Sequence, residues 1–366
     1  MTSRKFAVLH SFPGLAEQES AERVVIAARR MGMTAKIVQT HEDIAAFDPE
    51  FVLCLTHHEI RPPNYPTYGI VMAPLSWVRD DAQAIRHILS YDGYLTLSDS
   101  IRAWLEDLAA AIHRPALVEP FFPSVYATEW APPGTPPAML AYVGTNWDGW
   151  RSFELFQTLS RRGDTRFFGP ADRWSHIPAA SYGGAIPFDG RSVLETYAAA
   201  GIGLGLDRPD FTPDDLPSNR IFEISAAGAV GMMADIPFIR RHFGDAVLSL
   251  DHAAPAAAIA WQIDRYLAWI KANPEAAREK AREAHAIFNR HFSLERLLPN
   301  LLTLHDRARA LGRVAPTEDE QAEIAAFCDR WTGAHRPSAR RMEVVQALLG
   351  PVSVAPGTAV CCAPWP

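Results

Sequence analysis

The chain has 366 residues, 48% hydrophobic and 21% charged, which is material for two cores at about 150 residues per domain. Its formal net charge of −7, from 35 basic and 42 acidic residues without a block of Lys or Arg, argues against a nucleic-acid partner held by phosphate neutralisation. Cys54, Cys328, Cys361 and Cys362 lack the spacing of a zinc site or a disulfide framework, so a reducing compartment is expected.

In chain order, "KFAVLHSF" predicts a strand and "AEQESAERVVIAARRMG" an amphipathic helix closed by Gly32. "TAKIVQT", "EFVLCLTHHE", "YGIVMAPLS", "GYLTLSDS" and "PALVEPFF" read as further strands. "HEDIAAFD", "DDAQAIRHILSY" and "SIRAWLEDLAAAIH" are helical segments between them. Short apolar runs alternating with helices imply a parallel sheet covered on both faces. The crowding of Pro132, Pro133, Gly134, Pro136 and Pro137 then predicts a linker at 131–137, which separates a first domain at 1–130 from a second at 138–312.

The pattern restarts with "LAYVGTN", "WRSFELFQTLSRRG", "TRFFGP", "RSVLETYAAAG", "IGLGLD", a helix opening at Ser218, "AVGMMAD", "IPFIRRHFG" and "DAVLSLD". Long Ala-, Arg- and Leu-rich helices follow Asp251, broken at Asn273-Pro274 and with Ser293 as a cap; one of them is expected to cross back to the first domain. Residues 313–366 form an extension holding the amphipathic stretch "TEDEQAEIAAFCDRW" and a Pro/Gly-rich tail. The expected fold is α/β: two doubly wound Rossmann-like domains facing across a cleft, with C-terminal helices. The N-terminus lacks the apolar stretch of a signal peptide and no window of eighteen apolar residues occurs, so the expected location is cytoplasmic. The Ala/Arg-rich helices allow at most peripheral contact with the inner face of a membrane, and their Glu content favours a solvated face.

In such sheets ligands bind beyond the carboxyl ends of the strands, where helix N-termini favour anions. Ser218 caps a helix there, and Asn219, Arg220 and Glu223 share its first turns. Arg220 can neutralise a phosphate and Glu223 can accept hydrogen bonds from a diol, whereas a solvated Arg220–Glu223 ion pair is the plainer alternative. At the start of the second domain, Gly144 permits close backbone approach, Thr145 and Asn146 offer donors, and Arg151 can reach phosphates. In the first domain His57, His58 and Glu59 follow a strand at the cleft edge. Neighbouring side chains on one strand point to opposite faces, so no metal site is expected; His57 or His58 is a candidate for acceptor binding or proton transfer.

"DLPSNRIFEISAAGAVGMMADIPFIRRHFGDAVLSLD" resembles the donor-site region of retaining, two-Rossmann-domain (GT-B) glycosyltransferases. Residues 140–300 are similar to the second domain of spore-maturation-protein-like glycosyltransferases of family 1, of the family-4 type. There two carboxylates are separated by seven residues; here the pair is Asp215 and Glu223, with Asp in place of the usual first Glu. The resemblance implies that Glu223 binds ribose hydroxyls, that Arg220 and Asn219 lie near a diphosphate, that Asp215 is the acid near the sugar, and that "FFGP" (Phe167 to Pro170) is the turn beneath the nucleobase. It further implies transfer from a UDP- or GDP-linked sugar to a carbohydrate or lipid-linked hydroxyl, as in polysaccharide biosynthesis, with retention, no metal ion and no cofactor beyond the donor. A sugar-nucleotide epimerase or phosphorylase, or a non-catalytic carbohydrate- or nucleotide-binding protein, could use the same fold. Sequence does not fix the oligomeric state.

Overall fold

The computed structural model describes residues 4–11, 14, 16–132, 139–146, 152–312 and 318–332. The expected Pro-rich linker, apart from Ala131 and Pro132, lies outside these residues, as do Cys361 and Cys362.

The first α/β unit contains β1 (Lys5–Leu9), α1 (Ala16–Arg30), β2 (Thr34–Val38), α2 (His41–Phe47), β3 (Phe51–Cys54) and β4 (Thr67–Ile70). It continues with α3 (Leu75–Val78), α4 (Ala82–Ser90), β5 (Gly93–Leu95), α5 (Asp99–Ala111) and β6 (Val118–Glu119). All pairings are parallel, in the order β2-β1-β3-β4-β5-β6. The strands are short apolar runs because helices cover both faces: β1, β3 and β4 are buried almost throughout.

The second unit contains β7 (Met139–Val143), α6 (Phe153–Ser160), β8 (Thr165–Phe168), β9 (Tyr182–Gly184), α7 (Ser192–Ala200) and β10 (Gly201–Gly205). α8 (Asn219–Ala226), β11 (Val230–Ala234), α9 (Pro237–His242) and β12 (Leu248–Leu250) complete it. Its sheet is also parallel, in the order β12-β11-β10-β7-β8-β9. β9 escapes the sequence pattern because "YGG" has two glycines in three residues and no apolar run.

α10 (Ala256–Ala272), α11 (Pro274–His291), α12 (Leu294–Ala310) and α13 (Glu318–Thr332) follow. Asn273 precedes Pro274 at the first position of α11, as expected of a helix start. Ser293 stands at the start of α12 but does not cap it; its hydroxyl donates back to the Asn289 carbonyl at 3.1 Å. α12 returns to the first unit, packing on α1, β5 and β6. α13 lies against α4, with Ile324 and Cys328 in one apolar cluster with Ile85, Leu89, Leu108 and Ile112. Among the described residues, no helix is long and apolar enough to cross a membrane.

The two units share packing. One apolar cluster includes Phe6, Val24 and Leu53 of the first, Tyr197, Phe222 and Phe238 of the second, and Leu298 and Leu301 of α12. The loop after β10 reaches the other way: Leu216 is buried in a cluster with Leu9, Val38 and Val71. Asp214 accepts from the Leu75 N–H at 2.7 Å and the Ser100 hydroxyl at 3.0 Å, and the Ser98 hydroxyl donates to its carbonyl at 2.6 Å. Trp77 Nε1 donates to Asp210 at 2.8 Å.

Candidate functional site

Both sheets reverse their strand order near the middle, and a doubly wound sheet leaves a crevice at that point. In the second sheet the reversal falls between β7 and β10. Arg220 spans it. Nε donates to the Val143 carbonyl at 2.8 Å, Nη1 to the Leu206 carbonyl at 3.3 Å and to Ser218 Oγ at 2.9 Å. The guanidinium also lies 4.5 Å from the ring centre of Tyr142. Nη2 has no hydrogen-bond partner among the described residues, so one face of a rigidly held cation remains available.

Gly144 makes room for it. A Cβ there would stand 2.7 Å from Arg220 Nη2 and 3.0 Å from Tyr142 Cε1, so any side chain would displace the guanidinium. Ser218 is the N-cap of α8; its hydroxyl accepts from the Arg220 N–H, and its own N–H donates to Asp207 at 2.9 Å. Asn219 follows with its Oδ1 buried and unpaired. Asn146 turns inward: it is buried in a left-handed conformation with φ 43°, and its amide donates to the Arg173 carbonyl at 3.0 Å. One of its two amide N–H donors is therefore used within the loop. Thr145 sits between Gly144 and Asn146 in the same loop, while Arg151 lies outside the described residues.

Glu223, one turn into α8, is 8% exposed. Its partner is not Arg220 on a solvated face but Arg23 of α1, whose Nη1 donates to Oε1 at 2.8 Å. The simple ion pair on one helix thus gives way to a contact between the two units. Asp215 is bound on the α9 side. It adopts a left-handed conformation with φ 52°, and its carboxylate accepts from the Phe238 N–H and from Arg241 Nη2, each at 2.5 Å. It therefore fastens the start of α9.

Beside the β7 end, the Gly144 N–H donates to the Phe168 carbonyl at 3.0 Å, and Gly169 N–H to the Gly184 carbonyl at 3.0 Å. Past Phe168 a cavity of about 370 Å³ is lined by Gly183, Ile186, Pro187, Ser192 and Thr196 among others. The "FFGP" turn thus borders a space, which sequence alone does not reveal.

In the first sheet the reversal falls between β1 and β3. Glu59 closes it, accepting from the Ser11 N–H at 2.8 Å and the Ser11 hydroxyl at 2.6 Å. Burial raises its pKa, and these two bonds oppose the rise. His57 and His58 are not on a strand, because β3 ends at Cys54; they occupy a turn, and their ring centres are 3.8 Å apart. The expectation that they point to opposite faces therefore fails. Among the described residues no group of three or more His, Cys, Asp or Glu is arranged to hold a metal ion.

Sequence reasoning missed Arg23, Asp214 and Trp77. The one local signal was Glu19–Arg23, spaced four apart on α1, which looks like an ordinary helix pair.

Residues 151–303 match the family described as "Glycosyl transferase-like". No curated protein shows significant sequence similarity to the chain. Among solved structures, it is similar to an α-glucosyltransferase in complex with UDP-glucose and DNA containing an abasic site. That match has a TM-score of 0.56 and 10% identity, over 83% of this chain and 100% of the other. Sucrose-phosphate synthase from Thermosynechococcus elongatus gives 0.55 and 11%, over 84% and 100%. WaaG, a glycosyltransferase involved in lipopolysaccharide biosynthesis, gives 0.53 and 12%, over 83% and 99%. At such identities the likeness is one of fold. The match to the glycosyl transferase-like family covers residues 151–303, in the second α/β unit and the helices after it, and the chain as a whole has the two-domain GT-B fold of these solved structures.

Proposed function

We propose that the chain moves a glycosyl group from a UDP- or GDP-linked sugar to a hydroxyl of a carbohydrate or lipid-linked acceptor, with retention of configuration and without a metal ion. The observation that carries this reading is the Arg220 guanidinium, fixed across the β7–β10 reversal with Nη2 open. The departing diphosphate acquires negative charge as the glycosidic bond breaks. A preorganised cation beside the N-terminus of α8 stabilises that charge without reorganising. Glu223 Oε2, which has no partner among the described residues, is available to the ribose diol. The cavity past Phe168 supplies space for the base.

Asp215 enters the proposal through α9: it holds the start of that helix and the loop 207–217 in place. His57 and His58 belong to the acceptor side, beside the β1–β3 reversal of the opposite sheet. Retention rests on the Asp215–Glu223 spacing. The solved α-glucosyltransferase in complex with UDP-glucose supports a uridine donor as the first to try.

Thermal shift with UDP, GDP, ADP, TDP and CMP tests the donor class. A diphosphate at a hundredfold excess over its Kd should stabilise the fold by about 2.7 kcal/mol, a rise of a few degrees, with CMP well behind. If none of the four diphosphates moves a cooperative melting transition, the proposal fails.

A further inference from the structure

We propose that Arg23, on the helix of the opposite α/β unit, is the positioning residue that presents Glu223 to the donor ribose. The proposal rests on the donor-site reading above and extends it across the interface between the units.

Arg23 is fully buried, at 0% exposure, on a helix otherwise packed by Val24, Val25, Ala27 and Ala28. Burying a guanidinium is costly unless it is paired and hydrogen-bonded on several sides. Here Nε and Nη2 both donate to Glu19 Oε1, at 3.1 and 2.8 Å, while Nη1 donates to Glu223 Oε1 at 2.8 Å. Glu19 Oε2 in turn accepts from the Gly190 N–H at 2.9 Å, just before α7. Two segments of the second unit, at Gly190 and Glu223, thus converge on one ion network rooted in α1. The approach is tight: Gly190 has φ 78°, and a Cβ there would lie 2.9 Å from Ile26 Cδ1.

The geometry divides the Glu223 carboxylate. Oε1 is held by Arg23, and Oε2 has no partner among the described residues. A carboxylate fixed through one oxygen presents the other in a single orientation, which lowers the ordering needed to receive a diol. Glu19 completes the arrangement: its bonds to Nε and Nη2 orient the guanidinium so that Nη1 faces Glu223. Recognition of the sugar-bearing nucleotide then depends on contact between the two units, although the diol-binding carboxylate belongs to one of them.

The readout is discrimination between UDP or GDP and its 2′,3′-dideoxy form, by calorimetric titration of the full chain. Wild type should prefer the ribonucleotide, and Glu223→Gln should lose most of that preference. The double variant Arg23→Met/Glu19→Gln removes one cation and one anion together. It should lose at least about tenfold in ribonucleotide affinity while binding the dideoxy form as wild type does. Arg23→Lys supplies a point charge without the guanidinium fork, so it should recover only part of the preference. It also serves as the test should the double variant not fold. If either variant folds and retains the full wild-type preference, the role of Arg23 is wrong while the donor site stands. If wild type shows no preference for the ribose diol with either base, the reading of Glu223 falls, and the role of Arg23 with it.

Discussion

Arg220 donates from Nε to the carbonyl of Val143 at 2.8 Å, and so a residue from the start of α8 is locked onto the end of a strand 77 positions earlier in the chain. This one bond fixes where a positive charge stands relative to the β7–β10 crevice. It also explains why Gly144, the residue after Val143, must lack a side chain.

Gly144→Ala should therefore act on the cation rather than on the fold. The new methyl would meet Arg220 Nη2 at 2.7 Å and force the guanidinium aside. UDP or GDP affinity should drop roughly tenfold, the cost of one charge-assisted hydrogen bond. The urea midpoint should change little. A large stability loss with unchanged nucleotide affinity would contradict the placement.

Asp214 ties the loop after β10 to the opposite unit through the Leu75 N–H and the Ser100 hydroxyl. Asp214→Ala leaves a backbone donor near the buried interface without its acceptor and should cost about 1–3 kcal/mol in urea unfolding. Hydrogen exchange should speed up in α3 and in residues 207–217 before anywhere else.

Much of the architecture is legible in the sequence because periodicity and turn residues are local signals. Strands such as "KFAVL" and "VGMMA" are buried on both faces, so they read as apolar runs. "YGG" carries no such pattern and becomes a strand only because β8 offers it an edge. The site divides in the same way. Ser218, Arg220 and Glu223 are visible as polar interruptions at a helix start. Arg23 is not, since its second partner lies 200 residues away and only the folded chain brings them together. Asp215 shows the converse: its spacing suggests a role at the sugar, while only the folded chain reveals that the Phe238 N–H and Arg241 bind its carboxylate.

His305, on α12, is buried against the first sheet, with Nδ1 2.9 Å from the Tyr68 hydroxyl. Burial lowers its pKa from 6.5 to about 4, with the Arg4 charge adding to the effect. The folded state therefore binds the proton less readily than the unfolded state. Its contribution to stability is complete above pH 6.5 and is lost as pH falls from 6.5 toward 4. Urea titrations at pH 7, 5.5 and 4.5 should show this decline, and His305→Leu should flatten it. An equal slope in both proteins would exclude His305 as a cause.

α13 covers Ile85, Leu89, Leu108 and Ile112 with Ile324 and Cys328. Placing a carboxylate in that seam through Ile324→Asp should detach the helix, since an unpaired buried charge is costly. Exchange protection should vanish from α13 and weaken in α4, while nucleotide affinity stays at the wild-type value.

The central claim is that Arg220 is the cation that receives the donor diphosphate. Calorimetric titration of UDP and GDP into wild type and Arg220→Met tests it most directly. At least one nucleotide should bind wild type, with affinity at least about tenfold weaker in the variant. Equal binding by the two folded proteins, or no binding of either nucleotide to wild type, would contradict it.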